Sequence, residues 1–354
     1  MTTTASRPTV TTASLAATIT RRLPDTADLT TVATFLADNL LALGDHVPDT
    51  DWLILGGSMA RGEPSWIRYQ HDQRQLISDL DLLYVSSGET PTTLISQLRM
   101  TAETCFPTVD LMTLPLRDYR AITTSLGYDF KNLGVPLTPH GLPEHNSVRL
   151  DDRDAYEILL YYIQAYYWHR LNYRWQAGLD STQFHLLVNR LCMKVLRATA
   201  MLERGAYAHH DFARMAPHLA EQMRTELAWR IDPRQTPLDP SRFWVYVHDA
   251  FRRFDFAFGG PRPDAVRLSK YATTSSGQII ARHQKRISEL AREVAAAWVS
   301  NPRLDKIGTV ERATWSRVTG WAGTQQQPGP ASYFAKHRRE IHDHLLAMKV
   351  QVAA

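Results

Sequence analysis

The chain has 354 residues, 40 basic against 36 acidic groups, two cysteines and a hydrophobic content of 44%. That length suits about two domains with a sizeable core, and a 10% aromatic content argues against a chain disordered throughout. Cys105 and Cys192 are too few for a disulfide framework and too far apart for a zinc knuckle, and no run approaches the ~18 apolar residues of a membrane span. The expectation is a cytoplasmic protein with no membrane partner.

In chain order, residues 1–22 are rich in Thr, Ser and Ala, with Arg7, Arg21 and Arg22 but no acid. This composition predicts a flexible N-terminal arm without a secretory signal. From Asp28 to Leu43 the apolar positions Leu29, Val32, Phe35, Leu36, Leu40 and Leu43 recur at helical spacing, and Gly44 supplies a stop. Trp52–Leu55 reads as a short buried strand entering a tight turn at Gly56-Gly57-Ser58. A polar stretch from Glu63 to Gln75 leads to a second strand-like run, Leu76 to Val85. Residues 91–103 look helical, 107–114 form a third strand and 116–127 a further helix. A loop at 131–147 holds Pro136, Pro139, Gly141 and Pro143.

Beyond Asp151 strand signals vanish. Helical periodicity marks 152–175, 181–205, 218–230, 241–257 and 277–299, and a short basic helix is predicted at 332–350. The expected organisation is an arm at 1–22, an α/β domain at 23–150, an all-helical domain at 151–300, and a linker with a basic helix at 301–354. Charge divides the same way. Residues 1–150 carry 11 basic and 16 acidic groups, and residues 151–354 carry 29 and 20. An acidic region facing a basic one suits a site that collects cations on one wall and phosphates on the other; two solvated surfaces of opposite sign would read identically.

The stretch from Gly56 to Asp110 carries the chemistry. Asp79 and Asp81 lie two apart in a strand-like run, so strand geometry would aim both carboxylates at one point. Two carboxylates that close call for a cation, and hard oxygen ligands favour Mg²⁺. Asp110, an acid between Val109 and Leu111, would join them if its strand is adjacent. Gly57-Ser58 lets backbone approach a phosphate closely, the Ser58 hydroxyl adds a donor, and Arg61 one turn later adds charge.

This pattern resembles the signature of the polymerase β-like nucleotidyltransferase superfamily: a Gly-Ser turn, an Asp-x-Asp strand and a third Asp on a later strand. The wording Gly-Ser-Met-Ala-Arg-Gly-Glu with Ser-Asp-Leu-Asp-Leu-Leu is similar to its bacterial minimal and aminoglycoside-type branch. The resemblance implies a small mixed-sheet nucleotidyltransferase core followed by helices. It also implies that Asp79 and Asp81 hold two Mg²⁺ ions, that Asp110 holds the catalytic ion and helps deprotonate the acceptor hydroxyl, and that Gly57 and Ser58 grip a nucleoside triphosphate, ATP by default. The 20 residues between Ser58 and Asp79 exceed the family's usual spacing, and Trp66 to His71 would form a flap or hairpin.

The helical half offers Arg190, Lys194 and Arg197 at spacings of three to four, on one helical face. By resemblance Lys194 would meet the triphosphate. Residues 156–175 contain eight Tyr or Trp, including Tyr162, Tyr166 and Trp168, which suit either a core or a stacked base. His209, His210 and the tail histidines lack zinc spacing. The implied reaction is nucleoside monophosphate transfer to a hydroxyl of a small molecule, with pyrophosphate release. An RNA or protein hydroxyl is the alternative acceptor, Lys336, Arg338, Arg339 and Lys349 suiting a phosphate backbone. A non-catalytic nucleotide-binding or antitoxin-like partner protein is the third reading, and a hydrolase elbow at Ser58 is disfavoured because the chain turns all-helical after residue 150, short of the further βα units that fold needs.

Overall fold

The computed structural model describes residues 10–22, 29–64, 66–68, 74–76, 78–106, 108–172, 181–204, 215–231 and 241–259, with helical pieces at 285, 287–289, 291–296 and 299–300. The predicted tail helix, the His209–His210 pair and the tip of the 63–75 insertion lie outside these residues.

The first surprise is α1 (Thr12–Thr20), where a flexible arm was expected. Thr11 and Ser14 cap it reciprocally, each side chain accepting the other's backbone N–H, at 3.2 and 2.9 Å. The same Thr and Ser content that resembles disorder here supplies a cap. Leu15 and Ile19, spaced i and i+4, are fully buried. Next comes α2 (Thr30–Gly44), which buries Leu36, Leu40 and Leu43.

The sheet then begins with β1 (Trp52–Leu55), followed by the one-turn helix α3 (Gly57–Ala60). The insertion forms a separate antiparallel ribbon of β2 (Trp66–Arg68) and β3 (Arg74–Leu76). Its strands accord with the hairpin expected there. The run read as one strand from Leu76 is thus divided, and β4 (Leu80–Ser86) starts only after Asp79. Then follow α4 (Thr92–Glu103), β5 (Val109–Pro115), α5 (Leu116–Ala121), α6 (Ser125–Asn132) and β6 (Val135–Pro136). The expected helix 116–127 is broken around Ile122, and the expected loop 131–147 donates β6 to the sheet edge.

Strand order is β5-β4-β1-β6, mixed: β4 runs antiparallel to β1 and parallel to β5, and β6 runs antiparallel to β1. Alternation sorts the strands onto two faces. Leu53, Leu55, Leu80, Leu82, Tyr84, Val109 and Leu111 pack with α1, α2 and α4. Ile54, Leu83, Val85 and Leu114 pack with Tyr119, Ile122 and Phe130 from α5, α6 and their connection. A small mixed sheet between helical layers is the resulting core.

A second compact unit begins at Leu150 and contains α7 (Asp152–Asn172), α8 (Ser181–Arg204), α9 (Pro217–Ile231) and α10 (Ser241–Ala257). Glu226, wholly buried, knits three of these helices. It accepts from Asn189 Nδ2 at 2.7 Å and Tyr246 Oη at 3.1 Å, and pairs with Arg242. No helix among the described residues is long and apolar enough to cross a membrane.

Candidate active site

The end of β1 and the start of β4 meet because the chain reverses between them. The Gly56 N–H donates to Asp81 O at 2.9 Å, extending the β1–β4 ladder by one bond. Gly57 follows with φ +62°, in the left-handed region where glycine carries little penalty. A Cβ there would stand 1.7 Å from Asp81 Oδ2. Glycine is therefore required twice, for its backbone and for the carboxylate laid against it. Ser58 comes next, and its Oγ is buried with no hydrogen-bond partner among the described residues. Such a hydroxyl is uncommon in a folded protein and calls for an explanation.

Asp81 and Asp110 are register partners on the parallel strands β4 and β5. Neighbouring strands lie about 4.8 Å apart, and partners in register project from the same face, so the two aspartates leave one face of the sheet from adjacent strands. Like charges so placed are destabilising unless a cation offsets them. Both residues are half-buried, as is Asp79.

Two expectations are corrected. Asp79 lies outside β4, immediately before Leu80, so the strand's two-residue alternation does not aim it. Accordingly, among the described residues no group of three or more His, Cys, Asp or Glu is gathered to hold a metal ion by itself. The residues nevertheless fit Mg²⁺: the donors are all oxygens, a carboxylate pair is in register, and Mg²⁺ is ordinarily bound through one or two carboxylates plus substrate phosphates rather than a protein cage. The second correction concerns Arg61. Its side chain is 4% exposed, with Nε 2.8 Å from Glu63 Oε1 and Nη1 2.9 Å from Asp129 Oδ2. Two acids already claim its charge, so it does not add charge toward a phosphate.

Lys194 belongs to the second unit, where its Nζ lies 5.3 Å from the centre of the Tyr162 ring. The basic face expected around it is not uniform: Arg190 is exposed, Lys194 half-buried and Arg197 buried.

Sequence reasoning missed the partners of these residues. Glu63 was legible as an acid two positions from Arg61, but nothing local points to Asp129. Lys131, buried next to it, donates from Nζ to the carbonyls of Arg120 and Ile122, both at 2.8 Å. Burial pushes its pKa down to about 8. At the opposite end of the sheet Asp51 accepts from Tyr84 Oη at 2.5 Å, from Ser87 N at 2.9 Å and from Ser87 Oγ at 2.8 Å. Burial alone would raise the Asp51 pKa, but these donors bring it below the ordinary value of 3.8.

Comparison with family models, with curated proteins and with solved structures finds no match to this chain.

Proposed function

We propose that this protein is a divalent-cation-dependent nucleotidyltransferase that moves a nucleoside monophosphate, AMP from ATP, onto a hydroxyl of a small cytoplasmic molecule. The observation that carries the reading is the meeting of Asp81 with both Asp110 and Gly57 at one end of the sheet. It pairs in-register aspartates with a glycine bend that one of them packs against, beside a buried hydroxyl with no partner among the described residues.

Asp81 and Asp110 would hold Mg²⁺ together with phosphate oxygens of the nucleotide; the resemblance adds Asp79 as a ligand and a second ion. Bound there, the cations would neutralise charge on the polyphosphate and favour in-line displacement. The protein's own residues account for the rest. Gly57 lets the Asp81 carboxylate lie against the main chain, and the Ser58 hydroxyl donates to a terminal phosphate oxygen. Asp110 accepts the proton of the acceptor hydroxyl as its oxygen attacks the α-phosphorus. A new O–P bond forms, the bond to the β-phosphate bridging oxygen breaks, and pyrophosphate leaves.

The test is pyrophosphate release with Mg²⁺ and each of the four NTPs, over metabolite and tRNA fractions, for the wild type and for Asp79→Asn with Asp81→Asn. Losing two cation ligands should cost several kcal/mol of transition-state stabilisation, about a thousandfold in rate. Equal turnover in both proteins overturns the assignment. The basic second half favours RNA as the other acceptor class, and that version predicts labelling of the tRNA fraction and affinity falling steeply with salt.

A further inference from the structure

We propose that Asp129 is a positioning residue for the Gly57–Ser58 bend, acting through Arg61, so that helix α6 sets the affinity of the site for a nucleotide polyphosphate without binding it. The proposal rests on the nucleotidyl-transfer reading above. Three consecutive residues of α6 carry the argument, because each holds a different neighbour. Asp129 Oδ2 takes the Arg61 guanidinium at 2.9 Å. Phe130 occupies the space beside Gly56, where a Cβ would come within 2.5 Å of its ring. Lys131 Nζ ties α6 to the carbonyls of Arg120 and Ile122 at the end of α5.

Helix α6 is thus anchored to α5 and presents Asp129 and Phe130 to the bend. Arg61 is the C-cap of α3, and its backbone N–H donates to Gly57 O at 3.2 Å. Glu63, its other ionic partner, donates from its own N–H to Ser58 O at 2.9 Å. The ion cluster therefore grips the two peptides that present Gly57 and Ser58. Neither Asp129 nor Glu63 can itself attract a phosphate, being of like charge. Arg61, nearly excluded from solvent and shared by both, is placed to fix orientation. A planar guanidinium bonded at two of its nitrogens resists rotation in a way that a single-point contact does not. What the cluster orients is the Ser58 hydroxyl, whose burial without an internal partner makes its direction matter.

The experiment compares the wild type with Asp129→Asn, Asp129→Glu and Arg61→Lys by Mg–NTP binding, by KM and kcat for the NTP, and by thermal midpoint. Positioning predicts that Asp129→Asn raises the NTP Kd and KM about tenfold or more, with kcat within about threefold. Asp129→Glu, which keeps the charge, should recover most of that affinity, and Arg61→Lys, which loses the second bond of the fork, should not. Folded Asp129→Asn with wild-type KM overturns the positioning role while leaving the nucleotidyltransferase reading intact. So does a loss that follows the unfolded fraction, or one that Asp129→Glu repeats in full. A wild type that binds no Mg–NTP overturns the reading itself, and the two failures are read in different samples. If Asp129→Asn does not fold, Asp129→Glu against Arg61→Lys carries the same contrast.

Discussion

The two ends of the central sheet each carry aspartates, and their environments are opposite. At one end Asp51 is 6% exposed and surrounded by donors from Tyr84, Ser87 and Thr50. His140 joins by bonding the Asp51 carbonyl at 2.7 Å. At the other end Asp81 and Asp110 stand half-buried in register beside a serine hydroxyl with no partner among the described residues. A carboxylate whose bonding is complete inside the protein stabilises the fold and has nothing left to offer a ligand. At the Asp81 end the carboxylate lies against Gly57 and the Ser58 hydroxyl is buried with no partner among the described residues, so a ligand there would supply a bond that the described fold does not. The contrast sets a structurally bonded aspartate against the in-register pair to which the proposed reading gives the cation.

That contrast can be broken by substitution. Among single substitutions the largest effect is expected at Gly57→Ala, where a methyl group would collide with the Asp81 carboxylate at a backbone angle unsuited to alanine. We expect kcat/KM to fall about a hundredfold, with about 1–3 kcal/mol lost in urea unfolding. Asp51→Ala should do the reverse. It leaves the Tyr84 hydroxyl and the Ser87 amide without their acceptor, at a cost of about 2–4 kcal/mol, while activity per folded molecule is unchanged. Because the Asp51 pKa is lowered in the fold, its contribution is present above pH 3.8 and is lost as pH falls through the lowered value. If Asp51→Ala abolished catalysis in folded protein, the division between the two ends would fail.

Smaller effects sharpen the comparison. Ser58→Ala removes a hydroxyl that makes no hydrogen bond among the described residues, so stability should stay within about 0.5 kcal/mol while the NTP KM rises about tenfold. A stability loss with unchanged KM would reassign Ser58 to the fold. The smallest expected effect is at Lys131, whose pKa falls from 10.5 to about 8 on burial. The unfolded chain binds that proton more tightly than the folded one. This residue's share of stability is therefore flat below about pH 8 and rises with pH between the two values. The two carbonyl acceptors favour the charged form, so the rise is smaller than desolvation alone would give. Urea midpoints measured across that range should show it in the wild type and lose it in Lys131→Met.

Much of the site was legible because strand and turn chemistry are local. Trp52–Leu55 with Gly56-Gly57 announced a strand entering a sharp bend, and Asp110 within an apolar run announced an acid on a strand. Arg61 was misread because a charge near a phosphate loop looks available until its partners are known. One partner, Asp129, is 68 residues away. Residues 12–20 were misread because Thr and Ser cap helices and also fill disordered arms, and only burial of Leu15 and Ile19 against the core separates the two. Asp79 was placed one residue too deep, since periodicity shows alternation but not where pairing begins.

By itself the sequence determined most of the elements between residues 28 and 130, the change from mixed to all-helical character near residue 150, and which residues are candidates for chemistry. Those depend on propensities and periods that act over a few neighbours. Only the tertiary structure decided that Asp81 and Asp110 are register partners, that Gly57 lies under the Asp81 carboxylate, and that Arg61 is already engaged. Each of these is a meeting of chain segments far apart in sequence, selected by which packing buries both faces of the sheet at once, and no local pattern encodes it.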